Sequence, residues 1–301
     1  MKPGWENRDE GHASSREQLA GKSLKEFIFT KDDFEKVRAL IYRRAGIALS
    51  DNKHEMVYSR LARRLRATGM GSFTAYLERL ERGQDSAEWE AFTNALTTNL
   101  TSFYRESHHF PILAEHLAAM PAPLTIWCSA SSTGEEPYSI AMTACEVFNT
   151  LTPPVSIIAT DIDTNVLATA QQGIYASSQL KNVSEARIKR FFLKGKGAQE
   201  GFVRMRPELA RLISFRQLNL LDERWALAGQ FDVIFCRNVM IYFDKPTQAK
   251  ILARFVPLMK PAALLFAGHS ENFLYVSNAL RLRGKTVYQL ATAPRHADKA
   301  R

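Results

Sequence analysis

A chain of 301 residues, 46% of them hydrophobic, is long enough to bury a sizeable core, to fold as roughly two domains and to carry an enzyme. Its net charge of +9 points to an acidic partner without choosing between nucleic acid, an anionic membrane surface and an acidic protein. Cys128, Cys145 and Cys236 stand singly in apolar runs, which argues against a disulfide framework or a cysteine-paired zinc site, and no metal is expected. No apolar stretch reaches the roughly 18 residues needed to cross a bilayer, and the first ten residues hold no signal-peptide core, so a cytoplasmic location without membrane insertion is expected.

Residues 1–25 are polar and unpatterned and read as a tail. Thr30 followed by Asp33 is a capping-box-like start, and Phe34, Val37, Leu40 and Ile41 recur at helical spacing up to Gly46. A second helix start at Ser50, Asp51 and Asn52 leads into Met56, Leu61 and Leu65 and closes at Gly69 and Gly71; a third helix spans 73–81. Residues 26–82 therefore form a small all-helical domain. Residues 83–98 read as a linker, polar at first and helical again from Trp89.

From Pro121 the pattern changes to short apolar runs at 124–129, 155–160, 231–236 and 262–267, separated by helical stretches such as 137–148 and 246–259. That alternation predicts an α/β domain, a doubly wound, mostly parallel sheet over 99–291. Charged, glycine-bearing sequence at 174–215 interrupts it and reads as a small inserted β-lobe, and 292–301 reads as a second tail.

Open α/β sheets bind ligands beyond the carboxyl ends of their strands, so polar residues at those ends are the candidates for chemistry. The buried run that begins at Phe231 breaks into Arg237 and Asn238 and then resumes. The loop 129–134 after the first strand is built of small residues with one glycine, not the three of the dinucleotide fingerprint, and on its own is equally an ordinary strand-to-helix turn. Asp161, ending the second strand, is placed to accept hydrogen bonds from ribose hydroxyls or else to cap the next helix, a task that suits Asp163 better. Loop and acid without a phosphate pattern favour a nucleoside ligand. Asn99, Thr101 and Arg105 crowd a segment that either folds over the ligand mouth or starts a capped helix. His108 and His109 read as packing or surface residues.

Six segments resemble one family closely: TNLTSFYRE at 98–106, SSTGEEPYS at 131–139, TDID at 160–163, NL at 219–220, FCRNVMIYF at 235–243 and FAGHSENF at 266–273. The family is the chemotaxis receptor glutamate O-methyltransferases, and the resemblance runs from about residue 29 to 290. It implies the class I S-adenosylmethionine-dependent methyltransferase fold and transfer of the donor's methyl to glutamate carboxylates of chemoreceptors. It implies further that Asn99, Thr101, Arg105, Glu136, Asp161, Asn219, Leu220, Arg237 and Asn238 line the S-adenosylmethionine pocket, Asp161 taking the ribose and Asn219 and Leu220 flanking the adenine. Arg105 and Tyr242 then face the methyl and the incoming carboxylate, Arg105 as a bidentate partner and Tyr242 as a neutral donor.

Lys53, Arg60, Arg63 and Arg66 share one side of the second helix. Read alone, that side is a solvated face; in the family the matching basic helix meets the acidic cytoplasmic domains of the receptors. Gly195, Gly197 and Gly201 match a family loop that accompanies lobes able to hold a receptor's C-terminal peptide as an added strand, or else form a simple hairpin. Recruitment to receptor arrays follows from the same likeness. Two alternatives stand beside this reading: a non-catalytic S-adenosylmethionine-binding module, and a nucleic-acid methyltransferase. The second lacks the Asp/Asn-Pro-Pro-aromatic signature, since Arg237, Asn238, Val239 and Met240 occupy that site.

Overall fold

The computed structural model describes residues 26–83 and 85–291; the expected tails at 1–25 and 292–301 lie outside the described residues. The first unit packs α1 (Lys31–Ala45), α2 (His54–Thr68), α3 (Phe73–Glu81) and α4 (Ser86–Leu96). Thr30 and Asp33 close a reciprocal capping box at 3.0 Å each way, so two orphan N–H groups of α1 are satisfied. Gly46 ends the helix at φ 68, a conformation that β-carbon-bearing residues resist.

Phe34, Val37, Leu61, Leu65, Phe73, Leu77, Phe92 and Leu96 fill one core. Phe92 and Leu96 correct the expected linker: most of 83–98 is helix α4, whose apolar residues at helical spacing complete the helical unit. Its one buried charge, Glu88, is fully engaged, accepting from Arg64 at 2.7 and 3.1 Å and from the Tyr76 hydroxyl at 2.7 Å.

The second unit runs α5 (His109–Ala119), β1 (Leu124–Cys128), α6 (Glu135–Val147), β2 (Val155–Asp161), α7 (Thr164–Gln172), β3 (Ile174–Ala176), α8 (Glu185–Phe191), β4 (Phe192–Lys194), β5 (Phe202–Met205), α9 (Pro207–Ala210), β6 (Ile213–Gln217), β7 (Phe231–Cys236), α10 (Lys245–Phe255), β8 (Met259–Ala267), β9 (Leu280–Gly284) and β10 (Val287–Leu290). The large sheet has the order β6-β2-β1-β7-β8-β10-β9, parallel from β6 through β8 and closed by the antiparallel β10 and β9. The chain winds outward from β1 through β2 and then returns to β7 on its other side. The reversal leaves a crevice at the carboxyl ends of β1 and β7, the place where such sheets bind ligands.

Two parts of this sheet escape a reading by apolar runs. β6, expected within the inserted lobe, pairs with β2 in parallel register from Ile157 opposite Ile213 to Asp161 opposite Gln217. It is an edge strand whose sequence alternates, whereas every residue of the central β7 is buried. The β9-β10 hairpin turns at Lys285 and Thr286, both at positive φ, a geometry not signalled by glycine or asparagine at either position. The lobe itself is a three-stranded antiparallel sheet, β3-β5-β4, with α8 beside it.

The two units meet along the crevice. The Tyr42 hydroxyl donates to Asp244, Asn219 Nδ2 donates to the Arg44 carbonyl at 2.8 Å, and the Ala48 amide donates to the Tyr242 carbonyl at 3.0 Å. No helix among the described residues is long and apolar enough to cross a membrane.

Candidate active site

A cleft of about 220 Å³ opens where the helical unit overhangs the carboxyl ends of β1, β2 and β7. Asn99, Thr101, Arg105, Glu136, Asp161, Asn219, Leu220, Arg237, Asn238, Tyr242 and Lys53 all line it, so residues spread over almost two hundred positions converge on one space. Its lining combines apolar residues, Ile47, Met56, Ile162 and Leu218 among them, with the charged Glu136, Asp161 and Arg237.

Asp161 ends β2 almost fully buried. Its Oδ2 accepts from the Ser132 amide at 2.8 Å and its Oδ1 from the Asp163 amide at 3.0 Å. Burial pushes its carboxyl up to about 6, against the pull of those two amides. Helix capping falls to Asp163, which accepts from Asn165 at 2.9 Å at the start of α7, so Asp161 keeps lone pairs for the cleft. Asn99 turns its amide onto Asp163 at 2.7 Å, and Ser132 Oγ donates to the Asn99 carbonyl at 2.9 Å. The loop over the cleft is thereby tied to the two strand ends beneath it.

Glu136 sits in the first turn of α6, after Gly134 at φ 99; a β-carbon there would lie 2.8 Å from both Ala170 and the Tyr175 hydroxyl. Its Oε2 accepts from Arg237 Nη1 at 2.6 Å. Burial raises its carboxyl above the usual range while Arg237 draws it down. Arg237, buried itself, also donates to the Arg105 carbonyl and stands 3.4 Å from Glu106. Arg105 is flanked by Tyr104 and Glu106 at φ 51 and 53, and its guanidinium donates to the Leu100 carbonyl at 2.8 Å. Non-glycine residues hold this left-handed conformation only where the surrounding structure fixes them. Tyr242 ends the short 3₁₀ turn Met240–Tyr242 and is half-buried. Asn219 spends its side chain on Arg44 and on the Leu221 amide at 3.0 Å, which leaves the 219–220 backbone and the Leu220 side chain toward the cleft.

The profile of the CheR methyltransferase SAM binding domain matches residues 99–289, and that of the CheR methyltransferase all-alpha domain matches 32–97. The chain belongs to the CheR methyltransferase family. It is 56% identical over 257 residues to a chemotaxis protein methyltransferase of Klebsiella aerogenes, covering 85% of this chain and 89% of that one. Against chemotaxis protein methyltransferase of Escherichia coli it is 53% identical, covering 86% and 90%, and against chemotaxis protein methyltransferase 2 of Pseudomonas aeruginosa 51%, covering 88% and 95%. As a CheR family member it is an S-adenosylmethionine-dependent methyltransferase. The donor set suits that group: buried carboxylates in the cleft match its cationic and hydroxyl-bearing portions, beside apolar residues for a flat base.

The four basic residues of the expected receptor face part company. Lys53 lines the cleft and Arg63 and Arg66 are not buried, Arg66 pairing with Glu26 at 3.0 Å. Arg60 turns inward, donating to the Ala95 carbonyl at 3.3 Å and to the Thr97 carbonyl, so it caps the end of α4 instead of facing solvent. The glycines of the lobe shape a hairpin and do not line the cleft. Gly195 donates to the Phe202 carbonyl at 2.9 Å, and a β-carbon on it would lie 2.0 Å from the Gln199 carbonyl, so the β4-β5 hairpin requires glycine there.

Two acids that lie inside the quoted motifs, and to which sequence reasoning gives no role, tie the site together. Glu106 accepts from Asn238 Nδ2 at 3.2 Å and faces His269 Nδ1 at 3.1 Å; burial opposes its ionisation, but Arg237 and those hydrogen bonds bring it down to about 2. Glu271, in the run after β8, accepts from three backbone amides. An acid among small residues just past an apolar strand is the same signal that singles out Asp161. Glu106, His108 and His109 also bring ligand-type atoms within 4.8 Å of one another, but Arg237 already supplies positive charge to that carboxylate.

Proposed function

We propose that this enzyme esterifies glutamate side chains on the cytoplasmic domains of chemoreceptors, using the cleft residues in the roles given by its family motifs. The observation that carries this reading is the convergence of Asp161, Glu136, Arg237, Arg105 and Tyr242 on one cleft beneath a basic helical unit. S-adenosylmethionine, when bound, supplies an electrophilic methyl on a sulfonium. Asp161 offers acceptor lone pairs to the ribose, and Glu136, neutralised in part by Arg237, offers negative charge to the amino-acid portion. Leu220 and Ile162 give apolar faces to the base.

A glutamate has a reference pKa near 4.3, so at neutral pH about 99% of it is already the nucleophile and no general base is required. What the chain must provide is placement. Arg105 pairs with the acceptor carboxylate and the Tyr242 hydroxyl donates to it, fixing one oxygen in line with the methyl. Lys53 at the cleft, with Arg63 and Arg66 farther along α2, orients an acidic receptor surface, each exposed pair contributing about 0.2–1 kcal/mol and therefore steering more than anchoring. The lobe supports a tether: β4 is an edge of its sheet, with its Leu193 and Phe202 of the neighbouring β5 exposed, and an extended receptor tail added there would raise the local substrate concentration.

The test is incubation of a receptor cytoplasmic fragment with methyl-labelled S-adenosylmethionine. Base-labile label is expected on glutamates, with Arg105→Ala lowering kcat/KM at least about 100-fold while donor affinity changes less. Label that survives base, or that appears on nucleic acid instead, would overturn the reading.

A further inference from the structure

Arg237, Asn238 and Tyr242 all sit on the turn that leaves β7, and that turn has an unusual support. Glu271, 4% exposed, accepts from the Asn238 amide at 2.9 Å, the Met240 amide at 2.8 Å and the Gly268 amide at 2.6 Å. One buried carboxylate thus gathers the backbone of the Asn238–Tyr242 turn and the end of β8, as an anion in a nest of amides does. Asn238 is left-handed at φ 57, a conformation a non-glycine residue holds only when its surroundings fix it. Gly268 completes the clamp: a β-carbon on it would lie 2.4 Å from Asn238 Nδ2 and 2.9 Å from both the Asn238 amide nitrogen and Glu271 Oε2.

The supports of the turn are divided. Arg237 is secured by side-chain and carbonyl partners elsewhere, Glu136, Glu106 and the Arg105 carbonyl. The backbone that carries Asn238 onward to Tyr242 is held on its amide side by Glu271, and on its carbonyl side by Gln248, which donates to the Met240 and Phe243 carbonyls at 2.8 and 3.0 Å, and by the Ala48 amide on the Tyr242 carbonyl. We propose that Glu271 is a positioning residue for methyl transfer, aligning the Tyr242 hydroxyl with the acceptor carboxylate while leaving most donor binding to other groups. This rests on the assignment of Tyr242 to the acceptor made above.

Glu271→Gln keeps the shape but turns an NH₂ toward at least one backbone N–H. Gly268→Ala keeps the carboxylate and pushes the same turn from the other side. Each variant is measured for thermal melting, for S-adenosylmethionine affinity by calorimetry, and for the single-turnover rate on a receptor fragment, alone and combined with Tyr242→Phe. The expected result is a rate lowered about 100-fold, donor Kd within about fivefold of wild type, and little further loss on adding Tyr242→Phe, because two residues acting through one contact are not additive. A rate within about threefold of wild type below the melting temperature, a loss confined to donor Kd, or full additivity with Tyr242→Phe would overturn the proposal. Should Glu271→Gln fail to fold, the Gly268→Ala and Tyr242→Phe pair decides the question by the same criteria. Wild-type enzyme that makes no glutamate ester would refute the functional reading instead, so the two failures are distinct.

Discussion

Replacing Arg237 with Met removes the cation from a buried carboxylate and keeps most of the side-chain volume. The arginine side chain is 1% exposed and its Nη1 lies 2.6 Å from Glu136 Oε2. At that distance an effective dielectric near 20 gives an attraction of about 6 kcal/mol, and truncating one member of such a pair costs about 3–5 kcal/mol once relaxation is allowed. Glu136 can escape the loss only by taking up a proton. Its carboxyl is already raised by burial with Arg237 present, and it rises further without it. In the variant the native state then binds a proton that the unfolded chain releases, so stability grows as pH falls, by up to about 1.4 kcal/mol for each unit between the two pKa values. Urea unfolding at pH 8 is expected to give a loss of about 3–5 kcal/mol, a smaller loss at pH 5.5, and partial recovery at pH 8 when Glu136→Gln is added. A loss below about 1 kcal/mol at pH 8, or one that is equal at both pH values, would refute the claim that this ion pair is the charge balance of the site.

Donor affinity should weaken as pH is lowered through about 6, since Asp161 titrates there and its ionised form is the better acceptor for ribose hydroxyls. In the free enzyme the same shift has the opposite sign: the folded pKa lies above the ordinary aspartate value of 3.8, so Asp161 favours the fold at low pH and that contribution is lost as pH rises through about 6. Calorimetric titration across pH 5–8 checks the first statement, and Asp161→Asn should flatten the profile. Gly195→Ala, which sets a β-carbon 2.0 Å from the Gln199 carbonyl, should disorder the lobe hairpin. Methylation of a receptor fragment bearing its C-terminal tail should then fall to the level of the tail-less fragment, whose own rate is unchanged; equal loss on both fragments would count against the tether.

The central strands are legible because each is a short apolar run bounded by polar residues, and the family motifs fall at their ends, which is why the cleft residues expected from those motifs converge. β6 is hidden because an edge strand alternates and resembles lobe sequence. Helix α4 is half hidden by the polar start that caps it, Asp85 accepting from the Glu88 amide at 3.0 Å. Arg60 shows the limit of helical spacing as a guide: a side chain on the basic side is long enough to bend back and satisfy the carbonyls that a neighbouring helix leaves open. Glu106 and Glu271 stand inside the quoted motifs, but Asn238, Met240, Arg237 and His269, which give them their roles, are distant in sequence from the acid each one meets, so those roles emerge only in the fold.

The hydrogen bond from Ala48 to the carbonyl of Tyr242 reaches from the helical unit into the turn that leaves β7. The helical unit and the turn that carries Tyr242 therefore brace one another without a covalent link: a graft that trades the helices of one homologue for those of another exchanges a support of that turn too. Chimaeras cut at residue 97 should keep the donor yet inherit mismatched turnover, and under the receptor role proposed for α2 a change of target is expected from its outward residues Arg63 and Arg66 with the 46–49 loop left as it is.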